Sequence, residues 1–260
     1  MIPIRDENPT YSTPVVTIAL IALNIVVFFT EPIFRSGTAG QIEQARYFEC
    51  HAAIPFEVTH GERVGDALAK GRRFDTQLDN AFAVLELRSC PRKSVWLSVV
   101  TSMFLHGSIL HIGFNMLFLW VFGNNVEDRL GRLKYILFYL ACGAAAAYAQ
   151  SYVFPNSAQP LIGASGAIAG VLGAYLLMFP RARVTNVVFI LIIPFLFELP
   201  AAIVLGVWFL LQIFQGVGSV TGSGGVAYMA HVGGFLAGML LLLVFRPRPA
   251  PRPPVVPLPY

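Results

Sequence analysis

Charged residues are scarce in this chain. Only 12% of its 260 residues are Asp, Glu, Lys or Arg, whereas 56% are hydrophobic and the mean hydropathy is +0.66. Soluble domains carry about 25% charged residues, so the composition excludes an ordinary soluble fold and is typical of a polytopic membrane protein. The net charge of +4 is explained by Lys and Arg in cytoplasmic loops. No nucleic-acid partner is expected.

Cysteine is also rare, with three residues in the chain. Cys50 and Cys90 lie in a long loop that we expect to be extracytoplasmic, where a disulfide between them is possible but not required. Their spacing from His51 and His60 fits no usual zinc pattern, so no metal site is predicted. Cys142 lies in an apolar stretch and is interpreted as a packing residue.

Six apolar stretches are candidates to cross a bilayer, which takes about 20 helical residues. They are residues 15–33, 109–126, 134–154, 165–179, 200–215 and 227–245. Two further apolar runs, 96–105 and 187–196, lie too close to neighbouring stretches to span independently and are expected to be interfacial or re-entrant. The fold class predicted is therefore all-α, a polytopic bundle of six transmembrane helices.

Loop charges predict the orientation of this bundle. The loops at 127–134 and 180–184 carry Lys or Arg, as does the segment after Phe245, whereas the loops at 155–160 and 216–225 carry no charge. The positive-inside rule then places both termini in the cytoplasm.

This orientation divides the chain into three parts. Residues 1–14 form a cytoplasmic N-terminal segment, and residues 15–245 form the six-helix domain with a long extracytoplasmic loop at 34–95. Residues 246–260 form a proline-rich cytoplasmic tail that is expected to be disordered.

Aspartate is absent from all six apolar stretches. This absence argues against a proton-relay transporter and excludes a Ser-His-Asp triad within the membrane. The polar residues that remain are costly in lipid and are therefore candidates for function: His111, Asn115, Ser165 and His231. Asn24 and Gln212 are further candidates, interpreted as interhelical hydrogen bonders. Ser165 and His231 each lie 14 residues before the end of their stretch, about 21 Å along the helix, and His111 lies at a similar depth.

Glycine stripes offer a way to bring two of these residues together. Gly166, Gly170 and Gly173 share one face of the fourth stretch, and Gly234 and Gly238 follow His231 on one face of the sixth. Small residues on facing helices allow close approach of their backbones. We therefore expect the sixth helix to pack on the fourth.

The chemistry of these residues suits acyl transfer. Neutral histidine can accept the proton of a serine hydroxyl, and the Asn115 amide, the His111 imidazole and the backbone N–H of Ser165 could stabilise an oxyanion. The segment LIGASGAIAG (161–170) is equally suited to helix packing, so a structural role for Ser165 stays open at this point.

Three motifs carry a resemblance to a known family. They are HGSILHIGFN (106–115), GASG (163–166) and AHVGGFLAG (230–238), which match H-x4-H-x3-N, G-x-S-G and A-H-x2-G-x3-G. In these motifs the chain resembles the rhomboid family of intramembrane serine proteases. Two departures are that Leu97, not arginine, follows Trp96, and that Ala169 replaces a tyrosine that packs on the histidine in some members.

The resemblance implies a site and a function. Ser165 and His231 would form a catalytic dyad, with His111, Asn115 and Ser165 at the oxyanion hole. A structural role near the site is implied for His106, Gly163, Gly166, Gly234 and Gly238. The reaction implied is cleavage of single-span membrane proteins near the extracytoplasmic face, through an acyl-enzyme and without a cofactor. A bacterial plasma membrane is the expected location; the alternative is an inactive rhomboid-like protein that binds membrane clients.

Overall fold

The structure is a computed structural model that describes residues 1–74, 76–90, 92–220 and 226–248, with only the backbone for 219 and 220. The predicted tail therefore lies largely outside the described residues. The helices are α1 Val15–Thr30, α2 Gly37–His51, α3 Pro55–His60, α4 Val64–Ala69, α5 Gln77–Ser89, α6 Val95–Thr101, α7 Ile109–Leu130, α8 Arg132–Val153, α9 Ser165–Met178, α10 Ala201–Val220 and α11 Tyr228–Phe245. Short 3₁₀ turns lie at Pro32–Phe34 and Ser102–Phe104.

Six of these helices, α1 and α7 to α11, correspond to the six predicted stretches. Within the described residues, α7, α8, α10 and α11 are long and apolar enough to cross a membrane. Helix α1 has 16 residues and α9 has 14, fewer than the roughly 20 that a span requires. The number of six transmembrane helices therefore stays a prediction.

Helix α9 lies at the centre of the bundle. All ten residues from Gly166 to Tyr175 are buried, as expected for a helix that is apolar on every face. Helices α7, α8 and α11 pack around it, so the residue at its N-terminus is held by three neighbours.

Helix α1 is fixed at its N-terminus by a residue from another helix. No side chain of its own caps it, but the buried carboxylate of Glu127 in α7 accepts hydrogen bonds from the backbone N–H groups of Val16 (2.9 Å) and Thr17 (2.7 Å). An anion at a helix N-terminus satisfies free N–H groups and complements the helix dipole.

The prediction of an all-α fold is incomplete, because the described residues also form a three-stranded antiparallel sheet. Strand β1 (Ile2–Asp6) pairs with β2 (Arg183–Ile190), which pairs with β3 (Ile193–Pro200). The run at 187–196 is rich in Val, Ile and Phe and contains Pro194, a composition that favours strand over helix. The carboxylate of Asp6 ties the sheet to the bundle by accepting from Asn125 Nδ2 (2.7 Å) and the Tyr175 hydroxyl (2.6 Å).

The long loop folds into a unit of its own, here called the loop subdomain (residues 37–90), which contains α2 to α5. A disulfide joins Cys50 to Cys90. The subdomain holds the segment that leads to α9: the Ala53 carbonyl accepts from the Leu161 N–H (2.7 Å), and the Asp79 carboxylate accepts from the Ala158 N–H (2.8 Å).

Candidate active site

Ser165 is the first residue of α9. The preceding Gly163 has φ +119°, a backbone conformation that favours glycine, and its N–H donates to the Ser102 carbonyl (2.9 Å). A Cβ at this position would also lie 2.7 Å from His111 Nε2. Gly163 is thus required both for the turn and for the space beside His111.

Ser165 and His231 lie in direct contact. The Ser165 Oγ is 2.8 Å from His231 Nε2, although the two residues are 66 positions apart in the sequence. The glycine seam brings them together: a Cβ on Gly234 would overlap the carbonyl of Gly166, and one on Gly238 would overlap the carbonyl of Gly170. The predicted close packing of α11 on α9 is confirmed, and it places the histidine at the N-terminus of α9.

Gln212 in α10 holds the other nitrogen of the same imidazole. The distance from His231 Nδ1 to Gln212 Oε1 is 2.7 Å, and the Gln212 Nε2 donates to the Trp208 carbonyl at 3.5 Å. An amide oxygen can only accept a hydrogen bond, so Nδ1 carries the proton. In the neutral ring, Nε2 is then left unprotonated and can accept from the Ser165 hydroxyl.

His111 and Asn115 line a cavity of about 530 Å³ together with Ser165, Trp208 and His231. The Asn115 side chain is 6% exposed and its Nδ2 has no hydrogen-bond partner among the described residues. Nδ1 of His111 accepts weakly from the Gly107 N–H at 3.4 Å, which leaves the proton of the neutral ring on Nε2, beside Gly163. Two side-chain donors therefore border the space next to Ser165.

His106 does not line this cavity. It is fully buried, its backbone N–H donates to the Glu31 carboxylate (3.1 Å), and its ring packs edge-on against His111 with 5.0 Å between ring centroids. These contacts support the ring of His111 from behind. The structure thus separates the two histidines of the 106–115 motif into one that borders the cavity and one that does not.

Two residues of the site lie outside the predicted catalytic set: Gln212, interpreted from the sequence only as an interhelical hydrogen bonder, and Trp208. The Trp208 ring lies 6.0 Å from the imidazole of His231, tilted by 35°. Gln212 and Trp208 together hold the ring of His231 in place. Ala169 has no aromatic side chain that could do so. A glutamine in an apolar stretch is a recognisable signal, but its partner depends on the rotation of α10, which the sequence does not specify.

Comparison with known proteins agrees with these motifs. Residues 93–248 match the family model described as the rhomboid domain, so α1 and the loop subdomain lie outside the matched range. Rhomboid protein 1, mitochondrial, of Saccharomyces cerevisiae is 34% identical over 152 residues, covering 55% of this chain and 40% of that protein. Rhomboid protease GluP of Bacillus subtilis is 43% identical over 105 residues, 38% of this chain and 20% of that protein.

A shorter relative is covered more fully. Rhomboid protease GlpG of Haemophilus influenzae is 30% identical over 148 residues, which cover 56% of this chain and 67% of that protein. The aligned parts span less than half the length of the yeast and Bacillus subtilis relatives. The family match covers more than half of this chain and includes four helices able to cross a membrane. The chain is an integral membrane protein that belongs to the rhomboid family.

Proposed function

We propose that this protein is an intramembrane serine endopeptidase that cleaves single-span membrane proteins by a Ser165–His231 dyad. The observation that carries the proposal is the 2.8 Å contact between Ser165 Oγ and His231 Nε2, next to a cavity that His111 and Asn115 also line. Relatives with protease in their names support the same activity. An inactive, client-binding protein is disfavoured because both members of the dyad are present and in contact.

The first step is attack of Ser165 Oγ on the scissile carbonyl carbon. The hydroxyl proton passes to His231 Nε2 as the C–O bond forms. The imidazolium that results keeps its Nδ1–H on the Gln212 carbonyl oxygen, 2.7 Å away. Gln212 is therefore a positioning residue, which fixes the tautomer of the histidine and orients its ring without itself taking up a proton.

The second requirement is stabilisation of the tetrahedral oxyanion. Asn115 Nδ2, His111 Nε2–H and the backbone N–H of Ser165 all border the space where this oxygen would develop charge. Because the Asn115 amide is buried and unpaired beforehand, it would gain its hydrogen bond only when the oxyanion forms. Loss of one such donor typically lowers kcat by about 10²- to 10³-fold.

The remaining steps return the proton. His231 Nε2–H protonates the leaving amine as the peptide C–N bond breaks, which leaves an acyl ester on Ser165. Water, deprotonated by the same nitrogen, then releases the new carboxyl end and restores the serine hydroxyl. Ser165 and His231 are both partly exposed to the cavity, so water can reach the acyl group.

The test is cleavage of a single-span reporter by the full chain in liposomes. Ser165→Ala and His231→Ala should each abolish detectable cleavage, whereas Asn115→Ala should leave a residual rate. Ser151→Ala is the matched control, since this buried serine in α8 donates only to the Ala147 carbonyl, away from the cavity. Cleavage by Ser165→Ala at the unaltered rate would refute the mechanism.

We also propose the topology inferred from the loop charges, with both termini in the cytoplasm of a bacterial cell. Relatives from yeast and zebrafish are named as mitochondrial, so the kind of membrane needs its own test. Native cysteines give no background, because Cys142 is buried and the other two are bonded. A thiol at Asn156 should react from outside intact cells and one at Arg181 only after lysis; the reverse pattern would invert the topology.

A further inference from the structure

The hairpin of β2 and β3 ends in an unusual tip. Eight consecutive residues, Phe189 to Leu196 (FILIIPFL), are all apolar and all exposed. Leu191 and Ile192 at the turn are 92% and 90% exposed. A run of this length in contact with water would promote aggregation, so it indicates an apolar partner. The glycine seam and the candidate active site do not involve these residues.

The turn itself points to selection for apolar side chains. Two-residue hairpin turns favour Asn and Gly, because they require positive φ angles. Here Leu191 has φ +57°, a left-handed conformation that disfavours residues with a side chain. A strained turn made of Leu and Ile, where glycine at position 191 would fold more easily, suggests that the side chains at the tip have a purpose of their own.

Polarity changes along the length of the hairpin. Its base carries Arg183 and Glu198, which form an ion pair at 3.3 Å, and the buried Asn186. Strand β1 covers only the base, since its partners in β2 are residues 184 to 187. Between Arg183 and Glu198 no residue is charged. The hairpin thus has a polar end anchored to the sheet and an apolar end with no third strand beside it in the described sheet.

Two features identify lipid as the partner. Strand β3 ends at Pro200 and α10 begins at the next residue, so the hairpin continues directly into a helix able to cross the membrane. The exposed face of that helix, which includes Ile203, Leu210 and Phe214, is apolar as well. Arg181 and Arg183 flank the base, where cations are attracted to anionic lipid headgroups.

We propose that residues 189–196 insert into the lipid leaflet at the α9–α10 end of the bundle and act as an interfacial anchor. The β3 edge leaves backbone groups unpaired, which restricts the tip to the boundary between headgroups and acyl chains. Pro194 reduces this cost, because it has no N–H group to satisfy. The anchor would hold the start of α10, the helix that carries Trp208 and Gln212 to His231.

The test measures the depth of the tip in the full chain reconstituted in liposomes. Ile192→Cys is labelled with an environment-sensitive fluorophore and quenched either by lipids with a nitroxide near the top of the acyl chain or by aqueous iodide. Phe214→Cys serves as the lipid-exposed reference and Arg181→Cys as the water-exposed one. We expect the Ile192 label to follow the Phe214 label, with several-fold stronger quenching by lipid than the Arg181 label.

Two other outcomes would overturn the proposal. Quenching by iodide alone would place the tip in water. Protection from both quenchers, together with thiol cross-linking between copies at Ile192, would assign the tip to a second copy of the chain. Neither outcome depends on whether Ser165 is catalytic, since no cleavage is measured.

A turn variant separates anchoring from folding. Leu191→Gly combined with Ile192→Asn places glycine at the position with positive φ and a polar residue after it, so the hairpin itself should fold at least as well. We expect the tip of this variant to be cut by an added protease at least tenfold faster than the wild-type tip in vesicles that expose this end of the bundle. Equal rates for the two proteins would refute insertion.

Discussion

In the helical bundle, the candidate site is held by hydrogen bonds between uncharged side-chain types, as in the Ser165–His231–Gln212 chain. Glu57 in the loop subdomain, by contrast, forms an ion pair at 2.7 Å with Lys93 in the segment that follows it, and both side chains are 1% exposed or less. In the bundle, close backbone packing of α11 on α9 along glycines fixes the position of His231 beside Ser165. The loop subdomain has a small apolar core and adds a disulfide and buried charges to it. The two regions should therefore respond to different perturbations.

The largest effect should follow from filling the glycine seam. A Cβ at Gly238 would overlap the Gly170 carbonyl, so Gly238→Val should destabilise the bundle by about 4 kcal/mol or more. It should also separate His231 from Ser165 and abolish labelling of Ser165 by a fluorophosphonate. Thermal unfolding in detergent measures the stability. Gly206→Ala in α10 is the control, because nothing lies within 4 Å of the added Cβ; equal losses in both variants would contradict the seam.

Removal of the disulfide should act on the other region. Cys50 and Cys90 are 40 residues apart, and closing a loop of this size stabilises a fold by about 4 kcal/mol. Cys50→Ser with Cys90→Ser should therefore speed hydrogen exchange in α2 and α5 while leaving α9 and α11 unchanged. Equal acceleration in all four helices would show that the loop subdomain and the bundle unfold together.

Loss of Gln212 should have a moderate effect confined to the reaction. Gln212→Leu removes the acceptor for His231 Nδ1–H, and we expect kcat to fall about 10- to 100-fold with little change in KM, by analogy with other second-layer contacts. Gln212→Glu should restore most of the rate, because a carboxylate also accepts this hydrogen bond. If Gln212 served folding alone, the loss of cleavage activity in Gln212→Leu would be matched by a loss of stability in the same variant.

The smallest effect expected is a pH dependence of the loop subdomain. Burial raises the pKa of Glu57 to about 7, and it raises the pKa of Glu49 well above its usual value; Lys93 opposes both shifts, while Glu86 reinforces them. The folded state therefore binds protons more tightly than the unfolded state, so its stability is greatest at low pH and falls as the pH rises through 7. The slope is about 1.4 kcal/mol per pH unit for each proton involved.

Hydrogen exchange in α2 to α5 at pH 5 and pH 8 would measure this dependence. Glu49→Gln is a suitable variant, since neither carboxylate oxygen of Glu49 has a hydrogen-bond partner among the described residues. It should flatten the dependence without breaking the Glu57–Lys93 pair. The comparison uses protection factors, that is, exchange rates corrected for the intrinsic amide rate at each pH; larger protection factors at pH 8 than at pH 5 would contradict the prediction.

The bundle could be predicted from the sequence far better than the loop subdomain. Apolar length located the helices, and the glycine spacing correctly predicted that α11 packs on α9 beside Ser165. In the loop subdomain, Glu49, Glu57 and Glu86 are fully buried, whereas a sequence pattern assigns such residues to the surface. The run at 187–196 forms strands that the all-α prediction missed, because an uninterrupted apolar run does not distinguish helix from strand. Gln212 stood out as polar, but its contact with His231 depends on how α10 is rotated.

The capping of α1 by Glu127 has a consequence for how the chain folds during synthesis. Its carboxylate caps α1 through Val16 and Thr17, yet it is synthesised 110 residues after Thr17. At a translation rate of about 5 to 20 residues per second, the first helix waits roughly 5 to 20 s for this partner. During that interval the free N–H groups at its start must be satisfied by water or lipid headgroups. The start of α1 therefore gains its cap only after most of α7 has been synthesised, although it leaves the ribosome long before.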